Sequence, residues 1–371
     1  MILTLEPRAE PSPVMALVTP IIAVGLTLIA GGALLAGMGR APGEALWVYF
    51  VSPFMDSYSR SELLVKAIPL GLIGAGLAVC FRANVWNIGA AGQYTMGAIF
   101  GGAIALNAPD ATGPLWLVAY LAAGVLGGMV WAAIPALLRT RFNANEILVC
   151  LMLAYVAGLL LDWLVRGPWK DPLGFGFPQS RDFGEAFLMP VILAGTRLHA
   201  GLWMVIAIAL ALAVMMGRTM KGFEIRVTGA APRAGAFAGF SQAGVIWFVL
   251  LLSGGLAGLA GALEVSATIQ QLQPDISAGY GFTAIIVAFV GRLNPAGALI
   301  GAVVLAVTYI GGDNAQILLK LPKNVTGIFQ GMLLFFLLAA DVFISFRLRF
   351  GRAPKPDRVA AKAALAEEAP S

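Results

Sequence analysis

Apolar residues occur in ten runs that cover most of the chain, with charged residues and proline concentrated between them. The runs are 14–38, 64–81, 86–106, 114–138, 146–164, 200–217, 244–265, 280–291, 295–311 and 326–346. All but one have roughly 17 to 25 residues, the length that a helix needs to cross a hydrocarbon core about 30 Å thick. The pattern predicts an all-α membrane protein with about ten transmembrane helices.

The run 280–291 is too short to cross a membrane alone, so we expect it to be broken or re-entrant. A loose pattern of arginine, asparagine and glycine between apolar segments occurs at 82–89 and again at 292–297. Broken helices at corresponding places in two halves of a transporter mark the solute path. The sequence therefore predicts a solute path near these segments.

Composition and charge agree with this picture. Charged residues make up 12% of the chain, compared with about 25% in an average soluble domain. Although the net charge is +5, the basic residues are interspersed between the apolar runs, which predicts membrane lipid as the surroundings and no nucleic-acid partner.

An even number of crossings places both termini on one side of the membrane. If that side is the cytoplasm, most of the 24 basic residues face inward. We therefore predict that both termini are cytoplasmic. The expected organisation is a cytoplasmic N-terminal segment (1–13), a transmembrane domain (14–346) and a cytoplasmic tail (347–371), which we expect to be disordered.

Enzymatic chemistry has little support in the sequence. The single histidine, His199, precedes a run in a predicted external loop, where we expect it to contact solvent, and no second imidazole is present for a metal site or catalytic relay. Cys80 and Cys150 lie inside apolar runs, as small buried side chains do. The sequence predicts no metal and no cofactor, and a membrane enzyme would rest on the polytopic architecture alone.

Besides Glu146, which begins one run, three acidic residues fall within the apolar runs: Asp162, Glu264 and Asp341. Each lies within a turn or two of the end of its run, so we expect all three at the membrane edge. An ion-coupled secondary transporter of a small polar solute usually needs a buried carboxylate near the middle of the membrane. This alternative function stays open, with Glu264 as its coupling residue.

Neutral polar residues cluster in and beside the interrupted segments. The substrate-pathway candidates are Asn84, Asn87, Gln93, Tyr94 and Asn294. Their amide and hydroxyl groups can hydrogen-bond a neutral polar solute, such as a sugar or a nucleoside, without burying a charge. The same groups can instead tie helices together, and the sequence leaves both interpretations open.

The predicted cytoplasmic loop 218–243 is long and basic. Pro232 is well placed to begin a short helix in which Ala234, Phe237 and Ala238 share one face. Such a helix, lying parallel to the membrane, fits a groove in a cytosolic partner. Because the chain contains no Gly-Lys dipeptide, it has no G-x-x-x-x-G-K-[ST] phosphate loop, and ATP-driven transport would need a separate ATPase.

Several stretches resemble the signatures of one family. Residues 81–97 read F-R-A-N-V-W-N-I-G-A-A-G-Q-Y-T-M-G, which resembles the F-R-A-G-L-F-N-I-G-A-E-G-Q signature of nucleoside ABC importer permeases in the branched-chain amino acid and simple-sugar permease superfamily. Residues 279–295, and the segments 145–147 and 152–155, are similar to further signatures of the family.

Differences between the family signatures and this sequence bear on which solute the protein transports. Ribose-type permeases carry G-x-D-L-S-V-G where residues 86–89 read W-N-I-G, so the resemblance favours nucleosides over free sugars. Ala91 and Ala154 stand where the family often has glutamate and asparagine, which puts the preference within the group in doubt.

The resemblance implies the permease subunit of an ATP-binding-cassette importer in the bacterial inner membrane. The implied partners are ABC ATPase subunits, a second permease, with a heterodimer favoured over a homodimer, and a periplasmic or lipoprotein substrate-binding protein. The implied ATPase-coupling residues are Gly229, Pro232, Arg233, Ala234, Phe237 and Gly239. Closure of the ATPases would push the coupling helix and switch the pathway from outward to inward facing.

Overall fold

The computed structural model describes residues 2–7 and 13–351 of the 371. The elements in chain order are β1 (Ile2–Pro7), α1 (Pro13–Gly37), α2 (Pro42–Phe50), α3 (Ser52–Met55), α4 (Ser57–Arg82), α5 (Ala90–Asn107), α6 (Pro114–Phe142), α7 (Glu146–Arg166), α8 (Gly201–Arg218), α9 (Met220–Ala230), α10 (Pro232–Phe237), α11 (Gln242–Glu264), α12 (Tyr280–Val290), α13 (Pro295–Leu319), α14 (Asn324–Ser345) and β2 (Phe346–Gly351). A π-helix, Val265–Ile269, extends α11, and a 3-10 turn, Glu185–Phe187, lies between α7 and α8. The described chain is nearly all helical, as predicted.

Among the described residues, eight helices are long and apolar enough to cross a membrane: α1, α4, α6, α7, α8, α11 with its π-helical extension, α13 and α14. The other two predicted spans correspond to α5 and α12. The first residues of α5 include Gln93 and Tyr94, which make it less apolar, and α12 has only 11 residues. Ten crossings and the side on which the termini lie therefore stay predictions.

The described residues form two compact units: one holds those up to residue 29 together with 333–351, and the other spans 30–332. In the first unit, β1 and β2 pair antiparallel, with Ile2 opposite Gly351 and Pro7 opposite Phe346. The sequence pattern did not predict these strands, because each has only six residues and adjoins a polar segment. The rest of the predicted tail, 352–371, lies outside the described residues.

The second unit is built around α4, a helix that is buried along nearly all of its apolar length. Helices α8, α11, α12 and α13 pack against α4, and α11 packs in turn against α5 and α6. The helix begins at Ser57, earlier than the predicted residue 64, because the Asp56 carboxylate accepts a hydrogen bond from the Ser59 backbone N–H at 2.9 Å and caps it. Lys66 lies within α4.

Glycine allows the central helices to touch backbone to backbone. A Cβ atom added to Gly97 of α5 would overlap the backbone of Gly258 on α11, and one added to Gly128 of α6 would overlap the Gly254 carbonyl. Because Gly254 and Gly258 are four residues apart, they lie on one face of α11. Helices α5, α6 and α11 therefore touch along their glycines, as small residues at four-residue spacing allow.

The first testable prediction concerns this contact. We expect Gly258→Ala to lower the melting temperature of the purified protein in detergent, because the new methyl group meets the Gly124 and Gly128 backbones and overpacking of this kind costs about 1 to 3 kcal/mol. The matched control is Gly331→Ala in α14, where nothing lies within 4 Å of an added Cβ atom. Equal melting temperatures for the two variants would contradict the packing described.

Candidate functional site

The two interrupted segments predicted from sequence lie side by side. The Arg82 guanidinium, at the end of α4, donates from Nε to the Leu293 carbonyl at 3.1 Å and from Nη2 to the Arg292 carbonyl at 3.3 Å. The Phe289 ring stacks on Trp86, with ring centroids 6.3 Å apart. The ends of α4 and α12 are thus joined through the two breaks.

The exposed candidates, Asn84 and Asn294, shape the backbone at these breaks. Asn84 adopts a left-handed conformation (φ 54°), and its Oδ1 accepts from Trp86 Nε1 at 3.2 Å. Asn294 caps α13 by accepting from the Ala296 backbone N–H at 3.0 Å. It also lines a cavity of about 130 Å³ beside Arg82.

The Asn87 and Gln93 amides form a buried, reciprocal pair. Asn87 Nδ2 donates to Gln93 Oε1 at 2.8 Å, and Gln93 Nε2 donates to Asn87 Oδ1 at 3.0 Å. Asn87 Nδ2 also donates to Ser253 Oγ on α11 at 3.0 Å, and Asn87 Oδ1 accepts from the Gly89 backbone N–H at 3.2 Å. We name these three side chains, Asn87, Gln93 and Ser253, the amide cluster. It ties the link between α4 and α5 to α11.

Tyr94 is buried one residue further along α5. Its hydroxyl donates to the Ile276 carbonyl at 3.2 Å, and its ring lies edge-on to Tyr280 at 6.2 Å. It therefore supports the irregular segment 270–279, which leads into α12.

Asn87, Gln93 and Tyr94 thus have side-chain polar atoms bonded to protein and are at most 1% exposed. In this conformation none of the three presents an open surface to a solute. The sequence left two interpretations open. These contacts correspond to the one in which the polar side chains hold helices together. For the three residues, contact with solute stays a prediction.

A second polar group is buried between α4, α11 and α12. Glu264 is 4% exposed, and its Oε1 lies 3.8 Å from Lys66 Nζ. Lys66 Nζ also donates to the Tyr280 hydroxyl at 2.6 Å. Glu264 lies five residues before the end of the π-helix at Ile269, and its place at the membrane edge stays a prediction. Asp162 differs, since it is more exposed and pairs with Arg166.

Lys66 borders a cavity of about 780 Å³ between α4, α12, α13 and α14, which we name the Thr283 cavity. Its lining includes Lys66, Phe282, Thr283, Tyr309, Asp313 and Gln330. Phe282 also borders a smaller cavity of about 180 Å³ beside α5 and α7. The sequence did not single out this cavity, because Thr283, Tyr309 and Gln330 come from three different helices. The position of these polar residues within apolar segments was the available signal.

An ion pair holds the loop before α8 against α4. Arg197 Nε donates to Glu62 Oε1 at 3.0 Å, and this ion pair raises the pKa of Arg197. His199 is buried, not solvent-contacting as expected, and its Nδ1 accepts from the Gly201 backbone N–H at 3.3 Å. Burial lowers the pKa of His199 to about 4, so the imidazole is neutral at pH 7.

The predicted coupling helix exists as α10, with Pro232 in its first turn. Phe237 at its end is 94% exposed, and Arg233, Ala234 and Ala238 are exposed as well. Gly239 follows with a positive φ of 83°, which ends the helix.

Gly229 differs from the other coupling candidates because it faces the bundle. A Cβ atom at Gly229 would overlap the carbonyl of Arg82 and the backbone of Ala83. The end of α9 thus rests directly on the end of α4.

Comparisons with known proteins agree with this arrangement. A family model described as branched-chain amino acid transport system / permease component matches residues 59–338. The glucose ABC transporter permease protein TsgB13 of Haloferax volcanii is 34% identical, over 93% of this chain and 93% of its own length. The guanosine ABC transporter permease protein NupP of Bacillus subtilis is 29% identical, over 90% and 95%. The nucleoside ABC transporter permease protein NupB of Lactococcus lactis is 25% identical, over 79% and 82%.

The second prediction concerns the amide cluster. Asn87→Ala should lower the melting temperature, because it leaves Gln93 and Ser253 buried with fewer partners, at about 1 to 3 kcal/mol for each group left unpaired. Asn107→Ala is the matched control, since the Asn107 amide is exposed and bonds only within its own helix, to the Ala103 carbonyl. Normal stability of Asn87→Ala combined with lost solute uptake would favour a solute contact over the tying role.

Proposed function

This chain belongs to the family of branched-chain amino acid transport system permease components, and we propose that it passes nucleosides through an ATP-binding-cassette importer of the bacterial inner membrane. It is an ABC transporter permease with several membrane-crossing helices. The observation that carries the nucleoside assignment is the similarity of nearly the whole chain to guanosine and nucleoside permeases, together with the W-N-I-G sequence at 86–89.

A second candidate solute is glucose, because the Haloferax volcanii permease named for glucose is 34% identical to this chain. The two can be separated by measuring which solute the associated substrate-binding protein binds. We expect guanosine binding without glucose binding. Glucose binding alone would move the assignment to sugars.

The proposed partners follow from the same membership. ABC ATPase subunits supply the energy, and an external binding protein delivers the solute. The second permease is proposed to be a different chain, because two distinct nucleoside permeases of Lactococcus lactis, NupB and NupC, are both similar to this one. The tail and the N-terminal segment are proposed to lie in the cytoplasm, where the charge pattern puts them.

We propose that α10 docks on the ATPase. Its exposed Phe237 is a large apolar side chain, whose burial in a partner groove stabilises a complex by about 1.5 to 3 kcal/mol. The contact of Gly229 with the end of α4 gives the docked helix a direct connection to the bundle.

The third prediction tests this docking. Ala234→Glu should leave the protein inserted in the membrane but reduce ATPase co-purification and solute uptake at least tenfold, because a carboxylate enters the apolar face. Ala236→Glu is the matched control: Ala236 is also exposed on α10 but points away from the Ala234 and Phe237 face. If Ala234→Glu assembles and transports normally, α10 is not the docking helix.

The fourth prediction separates ATP-driven transport from an ion-coupled carrier. Under the proposal, Glu264→Gln should lower the melting temperature, because Lys66 loses a charged partner, while ATP-driven uptake per folded complex changes little. Asp162→Asn, which breaks the more exposed pair with Arg166, should affect neither quantity. Uptake by this chain alone, driven by an ion gradient and abolished in Glu264→Gln, would establish the carrier instead.

A further inference from the structure

The Thr283 cavity has the size and chemistry of a small-molecule site. Its volume of about 780 Å³ lies within the range of roughly 300 to 1,000 Å³ that is typical of ligand pockets. Apart from three charged residues, Lys66, Lys323 and Asp313, its hydrogen-bonding side chains are neutral. Two cationic side chains and one anionic one disfavour a cationic solute.

The neutral groups form a hydrogen-bonded network. Tyr309 OH donates to the Ala278 carbonyl at 3.1 Å, Thr283 Oγ1 lies 2.9 Å from Tyr309 OH, and Thr283 Oγ1 donates to Gln330 Oε1 at 3.1 Å. Gln330 Nε2 in turn donates to Thr308 Oγ1 at 3.1 Å. Because hydroxyl and amide groups can both donate and accept, this network can exchange a partner for a solute hydroxyl or N–H.

Phe282 gives the cavity an aromatic surface. Its ring is 44% exposed and borders both the Thr283 cavity and the smaller cavity beside α5 and α7. Flat nucleobases stack on exposed aromatic rings, and each stack contributes roughly 1 to 3 kcal/mol. A ring exposed where two cavities meet is well placed for such a contact.

The break before α12 puts these groups at this place. Ala278 and Gly279 have positive φ angles of 41° and 82°, and α12 starts directly after them, so Phe282 and Thr283 lie in its first turn. One turn later the space closes: a Cβ atom on Gly74 or Gly301 would overlap Val287 of α12. The cavity therefore ends at the tight contact of α12 with α4 and α13.

We propose that the Thr283 cavity holds the translocating solute, with Phe282 stacking on the base of a nucleoside and Thr283, Tyr309 and Gln330 bonding its hydroxyl groups or base edge. This assignment rests on the proposed function. Val287, packed against Gly74 and Gly301, blocks further passage until α12 moves.

The test uses the complete importer in proteoliposomes, with tritiated guanosine and with labelled glucose as probes. Phe282→Ala and Gln330→Leu should each reduce guanosine uptake at subsaturating concentration by about tenfold. Phe282→Tyr, which keeps the ring, should retain uptake, as should the matched control Phe335→Ala on an exposed face of α14. ATP hydrolysis stimulated by the binding protein without solute reports that each variant complex is assembled.

The outcomes separate the two proposals. If the unmodified complex takes up neither guanosine nor glucose, the proposed function is wrong. If it takes up guanosine and the Phe282→Ala and Gln330→Leu variants match it, or if Phe335→Ala loses uptake equally, the cavity assignment is wrong.

A labelling measurement covers the case in which these variants fail to assemble. Ile328 lines the cavity, and both native cysteines, Cys80 and Cys150, are buried, so Ile328→Cys provides an accessible thiol over a low background. Guanosine delivered by the binding protein should slow its reaction with a membrane-impermeant maleimide at least threefold. An unchanged reaction rate under conditions of guanosine uptake would overturn the assignment.

Discussion

Inside a membrane, a polar group that lacks a protein partner has no water to bond instead, so a chain that interrupts its helices there must satisfy each exposed group internally. The link between α4 and α5 does this with Asn87, whose Oδ1 accepts from the Gly89 backbone N–H while its amide pairs with Gln93 and Ser253. The break before α12 uses hydroxyl groups in the same way, since Tyr94 donates to the Ile276 carbonyl and Tyr309 to the Ala278 carbonyl. Irregular backbone is thus stabilised by polar side chains that the neighbouring helices supply.

Close helix packing makes these partners available. Ser253 reaches Asn87 because α11 approaches α4 closely, and a Cβ atom at Gly76 would press on the Ser253 backbone. Other glycines of α11 let this helix touch the backbones of α5 and α6 directly. Where packing is looser, between the start of α12 and the helices α13 and α14, the polar groups border a cavity instead. Neutral polar side chains therefore tie helices together where the packing is close and border open space where it is looser.

The sequence predicted much of this arrangement and failed at identifiable places. Hydrophobic period and length located the long helices, and proline located the start of α10, because both effects are local. Neither could show that Asn87 faces Gln93 and Ser253 rather than a cavity, because that depends on a contact between residues 166 apart in the chain. Nor could the sequence show that Glu264 is buried beside Lys66, because that contact joins residues of two different helices. The cavity-lining Gln330 carried a signal in its position within a span, but its partner Thr283 lies on a different helix.

The positions of the two breaks give the proposed coupling loop a physical connection to the Thr283 cavity. Gly229 rests on Arg82 and Ala83 at the end of α4, and Arg82 in turn donates to the carbonyls of Arg292 and Leu293 at the end of α12. A displacement of α9 would therefore press on the end of α4 and, through Arg82, on the break after α12, as well as on α8, against which α9 also packs. The short helix α12 connects this junction to Thr283 within a few turns, and Val287 lies between them. A push on this junction would therefore have to move α12 against its tight contacts with α4 and α13 before the Thr283 cavity could open further.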